Sequence, residues 1–201
     1  MKKIELLIPK DLHSIPLYQY QKFLMEFEGK SDEDYTSEEA SLKMLEIFCG
    51  LKPKEGLQYK MTDVDKAVNK LNKVLNQKPS LITRFKLGGL EFGFVPDLQD
   101  LSFGEYIDAE TNLTNWATMN KAMAVLYRPI DMTYKGKYKL KPYDGVHYAE
   151  VLKNMPTSVA VSALVFFYSL ETELLEVTLT STLKQENRLK KKVSEQTKIL
   201  E

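Results

Sequence analysis

The chain is poor in the residues that most often carry chemistry. Cysteine occurs once, at Cys49, and histidine twice, at His13 and His147. A single cysteine excludes an internal disulfide and a cysteine-built zinc site. Cys49 lies in the apolar string LEIFCGL, which reads as a small buried residue at a helix end and not as a nucleophile. The histidines are far apart, and neither opens an HExxH spacing. Net charge is missing as well, because 28 Lys and Arg balance 28 Asp and Glu. No global field therefore steers the protein toward nucleic acid or a membrane surface. Long apolar runs are also absent: SVAVSALVFFYSL, residues 158–170, is the longest and falls short of the roughly 20 residues of a spanning helix. The opening MKKIELLIPKD breaks at Pro9 before a hydrophobic region of useful length, which argues against a signal peptide. These absences predict a soluble protein made in a reducing cytoplasm, with no membrane partner.

What is present is core material: 43% of the 201 residues are hydrophobic and 10% are aromatic, enough to bury an interior. Ile4, Leu6 and Ile8 alternate before Pro9 and predict an opening strand. Leu17, Tyr20, Phe23, Leu24 and Phe27 recur at helical spacing until Gly29, with Ser14 near the start. Thr36 or Ser37 is placed to cap the helix EEASLKMLEIFC, which Gly50 and Pro53 stop. Thr62 is the expected cap of DVDKAVNKLNKVLNQ, whose apolar stripe runs from Val64 to Leu75. After Pro79, RFKLGGLEFGFV reads as two strands about a Gly88-Gly89 turn. TNLTNWATMNKAMAVLYRP predicts a helix that Pro129 ends, MTYKGKYKLKPYDG a small basic hairpin or loop, and GVHYAEVLKNMP a short helix. No helix breaker follows Thr157, so the chain from there to Glu201 reads as one helix or two on a shared axis.

The expected fold is α+β and predominantly helical, with small antiparallel β-hairpins and a long C-terminal helix. Its expected regions are 1–78, a strand plus helices; 79–156, hairpins and helices; and 157–201, the long helix with a charged end. In that last region, positions 175, 179, 182, 186, 189, 193, 196 and 200 form a broken heptad seam. Leu189, Val193 and Leu200, with the run Lys190, Lys191 and Lys192, are the expected partner-binding residues, since the apolar three would otherwise face solvent on a polar arm.

SFGE at 102–105 matches a capping box, with Ser102 accepting from the backbone of Glu105 and Glu105 reaching back. That makes Ser102, Glu105 and Arg128 an expected structural corner, Arg128 supplying an ion pair to the helix. Glu105, Asp108 and Glu110 could instead form an acid–base or metal site, since residues 105 and 108 share a helix face, but no acidic calcium-type loop surrounds them. KLGGLEFG lacks both phosphate-loop spacings, and no serine has a GxSxG elbow. Lysines 135, 137, 139 and 141 alternate with tyrosines 134, 138 and 143, the makeup of a single-strand nucleic-acid surface or of an exposed hairpin with paired tyrosines.

Across most of its length the chain resembles small proteins of the virion and tail-assembly modules of tailed bacteriophages, especially crAss-like and related phages of Bacteroidetes. The resemblance is carried by IELLIPKDLHSIPLYQYQKFL, LEIFCGL, FKLGGLEFGFVPDLQDLSFGEYIDAE, MAVLYRPI and VFFYSLETELL. It implies a non-enzymatic structural or assembly protein, a tail-assembly chaperone or a virion component or cargo, without a portable catalytic motif. The expectation is thus no catalytic residue, no cofactor and no metal. Partners would be other phage structural proteins, or a further copy through the C-terminal helix, in the virion or in the host cytoplasm during assembly. A second reading is a nucleic-acid-associated protein using Tyr134, Tyr138, Lys139, Lys141 and Lys190 to Lys192. A third is an enzyme centred on Glu105, Asp108 and Arg128.

Overall fold

The computed structural model describes residues 6–30, 36–56, 58–169 and 172. The chain divides into two units, Met1–Ala163 and Leu164–Glu201. In the first, helices α1 (Leu17–Phe27), α2 (Ser37–Cys49), α3 (Pro53–Gly56) and α4 (Met61–Leu75) precede hairpin β1 (Arg84–Leu87) and β2 (Leu90–Phe94). Helices α5 (Phe103–Leu113) and α6 (Met119–Leu126) follow, then hairpin β3 (Tyr127–Tyr134) and β4 (Lys137–Leu140), and the single turn α7 (Ala149–Leu152). Residues 157–163 are helical; in the second unit residues 164–169 are helical. The four strands form one antiparallel sheet in the order β1-β2-β3-β4, so the fold is α+β and dominated by helix. The continuation expected as a long helix with a charged end, including Leu189, Lys190, Lys191, Lys192, Val193 and Leu200, lies outside the described residues.

Local signals set several boundaries. Thr36 caps α2 in a reciprocal box with Glu39, and Gly50, at φ 67°, closes its far end with an N–H on the Leu45 and Glu46 carbonyls. Gly88 and Gly89 turn the first hairpin at φ 56° and 80°, left-handed values that glycine adopts without steric cost. Their register sets Phe85 opposite Phe92 and Leu87 opposite Leu90, so these four share one face.

Other expectations need correction. Residues 6–9 are in no strand. Leu6 and Ile8 pack instead against the cluster of Leu45, Leu51, Val64 and Ala67, so the alternation at the start satisfies burial without a strand partner. Ser14 belongs to a short 3-10 turn capped by Asp11, and α1 starts behind Pro16. Thr62 lies inside α4, which begins after Lys60 with no side-chain cap. The helix expected through residues 113–128 is broken: a 3-10 turn at Trp116–Thr118 leads into α6, which passes without a loop into β3 at Tyr127. Pro129 lies within that strand, opposite Phe92. Its missing N–H removes one ladder donor, while its carbonyl still accepts from Lys141 N–H at 3.0 Å.

Two further groups of the interior stand out among the described residues. Leu12, Ile15, Ile47, Phe48, Leu71 and Val74 join the 3-10 turn to α2 and α4. Phe85, Phe92, Phe94 and Tyr127 form an aromatic nest with ring centroids 5.2–5.4 Å apart, in stacked and edge-on contacts that add to area burial. Buried polar groups in the first unit tie distant segments together. Gln21 Nε2 donates to the Trp116 carbonyl at 2.7 Å and to Asn120 Oδ1 at 3.2 Å, while Asn120 Nδ2 donates to the Ala149 carbonyl at 3.0 Å. The Tyr127 hydroxyl donates to the Ile82 carbonyl at 2.7 Å, and burial pushes its phenol above the ordinary tyrosine range.

Candidate functional site

Glu105 is the most committed carboxylate among the described residues. Its backbone N–H donates to Ser102 Oγ at 3.3 Å, and its Oε2 accepts from Ser102 N–H at 2.7 Å, which completes the box that starts α5. Its Oε1 lies 2.8 Å from Arg128 Nη1, with the side chains only 8% and 15% exposed. This contact is an ion pair without hydrogen-bond alignment: among the described residues Glu105 Oε1 has no hydrogen-bond partner, and neither has Arg128 Nε. Arg128 reaches the helix from β3, where it pairs with Gly93. One turn on from Glu105, Asp108 accepts a hydrogen bond from the Tyr143 hydroxyl. Burial first, then the hydrogen bond to Asp108 and the negative charge of Asp108 and Glu105, push the Tyr143 phenol above the ordinary range against the opposing pull of Arg128.

The corner thus brings together Ser102, Glu105, Asp108, Arg128 and Tyr143, whereas Glu110 is exposed on the outer side of α5. Both oxygens of Glu105 are engaged, one in the cap and one at the guanidinium. Proton transfer to an outside molecule would require one contact to open. The arrangement closes a helix end onto a strand. Tyr143 was not legible as a member, being 35 residues from Asp108 with no local signal linking them.

The remaining nucleophiles and bases are placed separately. Cys49 is partly buried and free, and burial pushes its thiol up to about 11, which leaves little thiolate at neutral pH. His147 packs edge-on against Tyr148 at 5.1 Å. His13 Nδ1 lies 2.9 Å from Ser158 Oγ, a pairing the sequence did not suggest across 145 residues. Ser158 is 5% exposed, and no carboxylate is recorded on His13 among the described residues, so the pair fastens the 3-10 turn to the start of the 157–163 helical segment. Among the described residues no group of three His, Cys, Asp or Glu is placed to hold a metal ion, and no helix is long and apolar enough to cross a membrane.

Depressions mark the surface of the described residues. One of about 540 Å³ follows α1 past Tyr18, Lys22 and Met25 to Lys153, and another of about 620 Å³ follows its far end toward Trp116. A third, of about 470 Å³, spans the β3–β4 hairpin between Met132, Tyr134 and the lysines 135, 137 and 139. Helix α5 carries a different feature. While Glu105 and Ala109 face inward, Phe103, Tyr106 and Ile107 are exposed one turn apart, Phe103 to 80%. The spacing i, i+3, i+4 makes them a stripe. Sequence reading assigned the cap of this helix and overlooked the stripe, although the same letters SFGEYI carry both.

No protein-family model matches the chain, no curated protein matches its sequence, and no solved structure matches its fold.

Proposed function

We propose that the protein is non-enzymatic and acts through protein–protein contacts as a structural or assembly component, of the kind found in the virion and tail-assembly modules of tailed bacteriophages. The observation that carries the reading is the exposed stripe of Phe103, Tyr106 and Ile107 on a helix whose opposite side is pinned by the Glu105–Arg128 pair. Large apolar side chains clustered on a rigid element gain by burial against a partner. A ring as exposed as Phe103 adds nothing to the interior of its own fold. The residues with acid–base potential in the corner hold one another, which supports a role in shape over a role in bond making. The protein would work in the host cytoplasm during assembly or be retained in the particle.

Co-sedimentation of the purified full chain with head and tail proteins of the phage is the test. Association is expected, and Phe103→Asp should weaken it at least about tenfold, as loss of a central aromatic anchor does, while the variant keeps its helical circular dichroism. No association under any condition, or association indifferent to Phe103→Asp and Tyr106→Asp, would count against the reading.

A further inference from the structure

The β3–β4 hairpin carries an observation that a protein-docking helix leaves unused. Register sets Met132 opposite Lys139 and Tyr134 opposite Lys137. Directly opposed residues of an antiparallel pair share a face, so two large apolar side chains and two ammonium groups occupy one side of the ribbon. Lys135, at the turn, lies 5.3 Å from the centre of the Tyr134 ring. Tyr134 is itself 68% exposed. Lys135, Lys137 and Lys139 take part in no ion pair among the described residues, and Asp131 is the only acidic residue between positions 127 and 143. A net-neutral chain has thus gathered a local excess of positive charge around an exposed aromatic ring, over the depression described above.

We infer that this hairpin face binds single-stranded nucleic acid, with the lysines on phosphates and the Tyr134 ring stacked on a base. Edge protection explains part of the pattern, because β4 ends the sheet and lysines on an edge strand discourage pairing with another sheet. Protection alone gives no place to an exposed tyrosine and methionine between the cations, since large apolar groups on an edge invite association. An acidic peptide would satisfy the charges and leave the ring unused. A ligand with regularly spaced anions and flat π-faces satisfies both. The inference is independent of the α5 stripe and stands or falls by different residues.

The test uses the full chain and a fluorescein-labelled 20-nucleotide oligothymidylate, followed by anisotropy at several salt concentrations. With about three phosphates contacted, the single-strand salt slope predicts a loss of affinity of about 20-fold between 50 and 200 mM salt. Tyr134→Ala should weaken binding about fivefold or more. Lys135→Gln with Lys137→Gln and Lys139→Gln should flatten the salt dependence, while glutamine at Lys190, Lys191 and Lys192 should leave it unchanged. All of these hairpin side chains are exposed; if the triple variant loses its circular dichroism spectrum, Lys139→Gln alone gives the slope. Absence of binding at 50 mM salt overturns the inference. So does binding that ignores the hairpin variants, or equal binding of a 20-residue polyglutamate that is indifferent to Tyr134→Ala, which would make the face a dock for acidic protein.

Discussion

In the β1–β2 hairpin the alternating residues Phe85, Phe92 and Phe94 are buried; Phe85 and Phe94 meet the Tyr127 ring, and Phe92 stacks on Phe85. In the β3–β4 hairpin, Met132 and Tyr134 occupy the same kind of alternation and are exposed. Both hairpins have two-residue turns in left-handed conformation, Gly88-Gly89 and Lys135-Gly136. The difference arises within β3. Its first residues, Tyr127 to Pro129, pair with β2; then a bulge between Ile130 and Met132 shifts the register, and the remainder pairs with β4 alone. A bulge bends a strand and increases its twist. Here it divides a buried half from an outlying half. Tyr138 joins the two hairpins: its hydroxyl donates to the Phe94 carbonyl, Arg84 lies 4.5 Å over its ring, and the ring covers Gly93. The comparison teaches that one sheet can spend one hairpin on stability and leave the other free for contacts.

The strongest way to break that division is at the buried end. Phe92→Ala should lower unfolding free energy by roughly 3–5 kcal/mol, a large share of a typical total, as read from urea midpoints. A small loss would show that the aromatic nest is not the seat of stability. A middling effect is expected at the seam between hairpins. A Cβ on Gly93 would lie 2.6 Å from Tyr138 Cε2, so Gly93→Ala should cost about 1–3 kcal/mol through overpacking. Tyr138→Ala in the same chain should remove part of that cost, giving a non-additive double-mutant cycle; strict additivity would mean that the ring moves aside freely. The smallest effects belong to the outlying half. Tyr134→Ala and Lys139→Gln should each change stability by no more than about 0.5 kcal/mol, and a loss of several times that would erase the distinction between the hairpins.

What was legible in the sequence follows the range of the interactions. The boxes at Thr36–Glu39 and Ser102–Glu105 close over three residues, and the turn at Gly88-Gly89 over two, so a short string determines each. The Arg128–Glu105 pair was within reach because few cations stood near that helix in the chain. Interactions decided by distant partners were not legible. Residues 113–127 keep a helical spacing to the end, yet Tyr127 is drawn into the sheet by Phe94, 33 positions earlier, and tertiary pairing overrides local preference. The alternation at residues 4–8 suggested a strand because periodicity reports which side chains want burial, not whether a neighbouring strand exists to pair with. Gln21 with Asn120, His13 with Ser158 and Asp108 with Tyr143 are likewise matched by the fold alone.

The direct passage from α6 into β3 has a consequence of its own. Tyr127 N–H closes the last helical turn on the Met123 carbonyl, and the same residue stands opposite Phe94 in the ladder. One extra residue at this joint would swing the helix about 100° relative to the ribbon it feeds and turn every subsequent strand side chain to the opposite face. Related chains can therefore differ here in spelling, but an insertion or deletion has no slack in which to be absorbed.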